Sequence, residues 1–149
     1  MKVEQLKIFI ILIIFFLFSC EQKPYNKLTN LKMNLTENVE IKKTIESLKI
    51  GMIEYIEPGE TEYTEKDVEK CMKLIDTFLT ELEQTENKEN GMKVVQKIVL
   101  KLNELNEKCE HELIETDQRE QLAEIINLAG NLKGYNEKDE DITEEWREW

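Results

Sequence analysis

Apolar residues recur at steps of three and four along most of the chain between residues 34 and 134, and this spacing restricts the fold more than any other feature. Such positions share one face of an α-helix, whereas a half-buried strand requires strict alternation. The stretch from Thr64 to Leu82 shows the pattern most clearly, with charged residues on its opposite face. Four such stretches predict four amphipathic helices. Because their apolar faces are buried when they face one another, we expect an all-α fold, a small antiparallel bundle of about four helices over residues 34–134.

Capping and turn residues set the expected helix limits. The first helix is expected from Asn34 or Thr36 to Pro58-Gly59, the second from Thr64 to the break at Asn87–Gly91, the third from Met92 to Ile114, and the fourth from Thr116 or Asp117 to a C′ stop at Gly134. The positions predicted to be buried are Ile41, Ile45, Leu48, Met52, Val68, Cys71, Met72, Ile75, Phe78, Leu79, Leu82, Val95, Ile98, Val99, Leu102, Leu105, Cys109, Leu122, Ile125, Ile126, Ala129 and Leu132.

The amino terminus has the pattern of an export signal. Residues 1–7 are polar with two lysines, and Ile8–Phe18 is an unbroken apolar run of eleven residues. As a helix this run would span roughly 16 Å, well short of a ~30 Å hydrocarbon core. A positive start, a short apolar centre and the small residue Ser19 predict a signal peptide over residues 1–19.

The residues at the expected cleavage point, Leu17-Phe18-Ser19-Cys20, resemble the lipobox of bacterial lipoproteins. The resemblance implies that Cys20 is acylated, becomes the new amino terminus and holds the protein to a membrane of the cell envelope, with the mature domain outside the cytoplasm. Several acyl chains give the durable anchor that one chain does not. An uncleaved anchor, or a conventional cut that leaves Cys20 as a free thiol, is the alternative. Residues 20–33 are predicted to be a flexible tether.

The charge balance excludes some partners. Removal of residues 1–19 takes away Lys2, Lys7 and Glu4, which changes the net charge from −12 to −13. Such a surface repels phosphate backbones, so nucleic-acid binding is not expected. A basic protein partner would be steered towards it, although an acidic surface also serves solubility alone.

The cysteines form the most specific internal pattern. With Cys20 lipidated, Cys71 and Cys109 remain as an even pair in a compartment that permits disulfides. A hairpin that turns near Asn90 would place both at the same height on facing apolar stripes, so we expect a disulfide between them, with two separate buried thiols as the alternative. No Cys/His grouping suits a metal, and no cofactor is expected.

Residues 135–149 differ from the rest in character. This segment is acidic, and Trp146 and Trp149 share one helical face three residues apart. Because two large aromatic side chains are costly to leave in water, they are expected either to dock on the bundle or to bind a partner.

No catalytic set is evident in the sequence. The only histidine is His111, predicted to face solvent, and the mature chain has a single serine, Ser47, in no recognisable motif. The many carboxylate pairs are expected by chance, and Asp139–Glu145 lacks the order of a calcium loop. The sequence therefore favours a non-enzymatic protein-binding lipoprotein, a class that includes immunity proteins that cover a basic toxin. A structural or envelope-assembly lipoprotein is the alternative, and a carboxylate-based hydrolase is less favoured.

Overall fold

The computed structural model describes residues 34–56, 59 and 61–149, and these residues form helices and no strand. A short 3₁₀ helix at Leu35–Glu37 precedes four α-helices. The helices are α1 (Val39–Ile56), α2 (Glu65–Glu83), α3 (Lys88–Lys108) and α4 (Thr116–Leu132). The prediction of an all-α bundle of about four helices is therefore confirmed.

Side-chain hydrogen bonds in the first turn explain where three helices begin. Asn38 Oδ1 accepts from the Ile41 N–H at 3.1 Å ahead of α1, and Asp67 accepts from the Thr64 N–H at 3.1 Å at the start of α2. Asn87 Oδ1 accepts from the Asn90 N–H at 3.0 Å, so α3 begins four residues before the predicted Met92. The segment expected to be a break thus supplies the first turn of α3, because asparagine is a strong N-cap.

The end of α3 also differs from the prediction. The helix stops at Lys108 rather than Ile114, since Glu110 and His111 adopt the left-handed conformation with φ of 52° and 65°. The buried side chain of Asn106 holds the turn that follows, because its Oδ1 accepts from the Ile114 N–H at 2.9 Å. Leu113 and Ile114 are therefore core residues of a loop rather than of a helix.

Gly134 ends α4 at the predicted C′ position. Its φ is +72°, and its N–H donates to the Asn131 carbonyl at 2.8 Å, while the Tyr135 N–H donates to the Gly130 carbonyl at 2.9 Å. This pair of bonds is a Schellman motif, which redirects the chain across the end of the helix.

The helices pack in pairs around one core. Contact is most extensive between α2 and α3 and between α1 and α4; α1 also packs on α2, and α2 meets α4 over a smaller area. The four predicted stripes supply most of the core, although Ile45, Met72 and Leu132 are only partly buried. Because α3 and α4 make little direct contact with each other, another element must cover that side of the bundle.

Candidate functional site

The chain after α4 covers this open side. Residues 135–149, called here the C-terminal segment, bury Tyr135, Asn136, Ile142 and Thr143. The segment touches α3 through Tyr135 and α4 through Asn136 and Ile142. It is therefore an integral part of the domain rather than an appended tail.

Two glycines make this close packing possible. An ideal Cβ on Gly91 of α3 would overlap the ring of Tyr135. A Cβ on Gly130 of α4 would lie 2.5 Å from Asn136 Oδ1 and 2.7 Å from Ile142 Cδ1. Glycine costs helix stability relative to alanine, so its presence inside both helices is explained by the approach of the C-terminal segment.

The start of the segment is fixed to the end of α2. Lys133 Nζ donates to the carbonyls of Glu83 at 2.9 Å and Thr85 at 2.8 Å. A cation at this point compensates the negative end of the helix dipole and the carbonyls left free at a helix end. The Tyr135 hydroxyl lies 2.8 Å from Thr85 Oγ1, and Lys133 Nζ lies 5.7 Å from the centroid of the Tyr135 ring.

The two tryptophans lie at the other end of the segment, and both pack half-buried against the core. Asn103 of α3 holds the backbone there: its Nδ2 donates to the Trp146 carbonyl at 2.8 Å, and its Oδ1 accepts from the Glu148 N–H at 3.3 Å. The Arg147 guanidinium lies 5.9 Å from the Trp149 ring. Of the two expectations for these tryptophans, the structure shows docking on the bundle.

Asp141 is the polar centre of the segment. It accepts from the Thr143 N–H at 2.9 Å and hydroxyl at 2.7 Å, and its other oxygen accepts from Arg147 at 2.8 Å. Partial burial by itself would raise the pKa of Asp141, but the hydrogen bonds from Thr143 and Asn127 and the charge of Arg147 together hold it below its ordinary value. The carboxylate is therefore ionised in the folded protein and ties the two ends of this turn together.

The negative charge of the domain is concentrated in residues 110–149. Residues 110–149 contain thirteen acidic and four basic residues, and eleven of the acidic ones are exposed. We call these eleven the acidic surface: Glu110, Glu115, Asp117, Glu120, Glu124, Glu137, Asp139, Glu140, Glu144, Glu145 and Glu148. By contrast, residues 65–108 contain ten acidic and eight basic residues and are nearly neutral.

A polar depression of about 260 Å³ adjoins the acidic surface where α1, α4 and the C-terminal segment meet. Glu40, Glu124, Asn131 and Lys138 are among the residues that line it. The mixture of carboxylate, amide and ammonium groups suits recognition of a polar or cationic side chain by hydrogen bonds and charge.

The disulfide predicted between Cys71 and Cys109 is not formed; both residues are buried free thiols. The register between the two helices is shown by Glu81 of α2, which pairs with Lys97 of α3 at 2.6 Å, and by Lys70 and Lys108, which line one groove. Cys71 of α2 and Cys109 at the end of α3 therefore lie at similar height and near each other, without a bond between their sulfur atoms. Burial, together with the nearby Cys109, raises the pKa of Cys71 from 9.0 to about 12.

The residues screened for catalysis are scattered. His111 is exposed in the loop after α3, and its N–H donates to the Asn106 carbonyl at 2.8 Å. Ser47 is exposed on α1, and its hydroxyl accepts from Gln121 Nε2 at 3.0 Å. Within the described part of the chain, no group of three or more His, Cys, Asp or Glu residues is arranged to hold a metal ion.

Cys20, the residue expected to carry lipid, lies outside the described residues, as do the predicted signal peptide and tether. Over residues 34–56, 59 and 61–149, no helix combines the length and apolar character needed to cross a bilayer. Comparison with protein-family models, curated proteins and solved structures found no match to this chain.

Sequence reasoning missed Asn103, Gly91 and Gly130, which position the C-terminal segment. A signal for the glycines was present, because a glycine inside a helical pattern indicates close packing or a functional constraint. Asn103 gave no such signal, since an asparagine on a helix is ordinarily a solvated polar residue.

Proposed function

We propose that the chain is a lipoprotein, anchored to a membrane of the cell envelope through Cys20, whose mature domain is a non-enzymatic protein-binding module of the immunity type. Its acidic surface, on α4, the C-terminal segment and the loop before α4, binds a basic protein. The observation that carries the proposal is the rigid attachment of this acidic segment to the bundle by Tyr135, Asn136, Ile142 and Thr143.

Rigid attachment matters because binding otherwise requires the ordering of a loop, which costs free energy. The exposed side chains of Glu144, Glu145 and Glu148 belong to a backbone already held by Asn103 and Asp141. A basic partner is steered by the surrounding negative field and meets carboxylates in fixed positions, which favours a fast and specific association.

The test is affinity capture by the mature domain of proteins from its host, comparing three forms. The variant E144Q/E145Q/E148Q removes three charges from the acidic surface, and E65Q/E69Q/D76N removes three exposed charges from α2 as the matched control. We expect wild type and the α2 variant to retain a basic protein that sodium chloride elutes, and the C-terminal variant to lose it. If the two variants retained equal amounts of the basic protein, its capture would depend on the net charge of the domain and not on the acidic surface.

The lipid anchor is tested separately by mass spectrometry of protein extracted from membranes. We expect a chain that begins at acylated Cys20, and Cys20→Ala should release the protein from the membrane. An unmodified chain that starts at another residue would refute the lipoprotein assignment.

Envelope assembly stays a second candidate because of exposed apolar side chains on α1. Val39, Ile50 and Tyr55 are 81%, 46% and 51% exposed. By helical spacing Val39 and Ile50 lie on one face of α1, and an exposed apolar face favours packing against another helical component. Replacement of all three by serine should abolish partner capture under this alternative and leave it unchanged under the immunity-type proposal.

A further inference from the structure

A groove of about 510 Å³ runs between α2 and α3. Lys70 and Lys73 contribute to its wall from α2, Lys101 and Lys108 from α3, and Leu74 and Leu105 supply apolar surface. A second, smaller depression continues along the same pair of helices past Leu74 and Lys101. The feature is therefore elongated in the direction of the helix axes.

The lysines of this groove are unusual in a domain with twice as many acidic as basic residues over 34–149. Lys70 is paired with Asp67 at 2.8 Å. Among the described ion pairs, none involves Lys73, Lys101 or Lys108. The fold thus gathers three cations without an ion pair around one concavity, where a bound anion would relieve their mutual repulsion.

We propose that this groove binds an acidic segment of a partner protein, one in which carboxylates flank an apolar side chain. The carboxylates would contact the lysines on both walls, and the apolar side chain would cover Leu74. This surface is distinct from the acidic surface, so the proposal does not depend on the function proposed above.

The shape of the groove decides between a peptide and a phospholipid surface. Its lysines stand on two helices with a depression between them, and Asp67 and Glu104 are among the lining residues. A flat layer of anionic headgroups would meet these two carboxylates as well as the lysines. A chain of separate side chains can place its charges against the lysines alone, so the geometry favours an acidic peptide.

The net negative charge of the domain does not prevent this association. At physiological ionic strength the Debye length is about 8 Å, so charges on distant parts of the surface are largely screened. Among the groups that line the groove, the four lysines outnumber the two carboxylates.

The test measures binding of a fluorescent sixteen-residue peptide of repeated Glu-Leu-Glu-Glu to the full-length protein in detergent at physiological salt. The groove variant K73Q/K101Q/K108Q is compared with K49Q/K66Q/K88Q, which removes the same charge from exposed lysines that also lack an ion pair in the described residues. We expect the groove variant to weaken binding at least tenfold and the control variant less than twofold. Equal weakening by both variants, or no binding by wild type, would overturn the proposal.

Two further measurements locate the peptide and identify its class. Backbone amide shifts on titration should change along α2 and α3 around Leu74 and Leu105; changes confined to other helices would refute the site. Binding to vesicles rich in anionic phospholipid in preference to the peptide would show a membrane contact instead. If addition of the peptide caused the protein to self-associate, and the groove variant self-associated in the same way, this result would also contradict the proposal.

Discussion

The packing of the C-terminal segment against α3 is tested most directly by Gly91→Ala. In the helix alone this change would stabilise the protein by about 1 kcal/mol, because alanine is the better helix former. In the folded domain the new Cβ would overlap the ring of Tyr135, the first residue of the C-terminal segment, which is only 6% exposed. The ring must therefore move.

The cost of that movement follows from the contacts of Tyr135. Loss of the buried ring surface costs about 2–3 kcal/mol, and loss of its hydroxyl contact to Thr85, at 2.8 Å, costs about 1 kcal/mol. After subtraction of the helix gain, we expect Gly91→Ala to lower the free energy of unfolding by about 2–3 kcal/mol. For a domain of this size that corresponds to a fall in Tm of roughly 8–12 °C.

Gly51 of α1 offers a matched control, because a Cβ there would meet nothing nearer than Gln118 Nε2 at 4.0 Å. Gly51→Ala should raise the free energy of unfolding by about 1 kcal/mol, as helix propensity alone predicts. Urea titration followed by circular dichroism measures both changes.

A double-mutant cycle with Tyr135→Ala isolates the proposed overlap. On the Tyr135→Ala background the ring is gone, so Gly91→Ala should no longer destabilise the protein and should show the gain expected of an ordinary helix position. If Gly91→Ala costs the same with and without the Tyr135 ring, the overlap is not the cause and the reasoning fails.

Three further perturbations address other contacts. Asn103→Ala should lower the free energy of unfolding by about 1–2 kcal/mol, because the Trp146 carbonyl loses the hydrogen bond from the Asn103 side chain. The tryptophan emission should shift to longer wavelength, and an unchanged spectrum would contradict this prediction. Burial raises the pKa of Cys71 from 9.0 to about 12, so the thiol of the unfolded chain ionises at lower pH than that of the folded protein. The free energy of unfolding should therefore fall as pH rises above about 9, and Cys71→Ala should reduce that fall. Rapid labelling of Cys71 in native protein at neutral pH would refute its burial. The pKa of Asp141 is lower in the folded protein than in the unfolded chain. The ionised carboxylate therefore stabilises the folded protein at pH values above the unfolded-state pKa, and this stabilisation is lost as the pH falls through the folded-state pKa. Asp141→Asn should therefore flatten the acid limb of the stability curve, and an unaltered limb would argue against the role of this carboxylate.

The helices themselves were accessible to sequence reasoning because their signals are local. The apolar period of Val68 to Leu82 identifies the buried face of α2 without knowledge of its neighbours, and Gly134 marks a helix end by its own conformational freedom. Errors arose where local signals compete. Asn87 is both a turn former and a strong N-cap, and the apolar Leu113 and Ile114 continue a helical pattern although the chain has already turned.

The candidate binding surfaces depended on the tertiary structure because they arise from the register between elements far apart in sequence. The register between α2 and α3 places Lys70 and Lys73 beside Lys101 and Lys108, and no local pattern in either helix indicates this. The sequence thus determined which residues each helix buries, through a period that acts over a few residues. Only packing decided that the C-terminal segment completes the bundle, because the space it fills exists only once α3 and α4 are both in place.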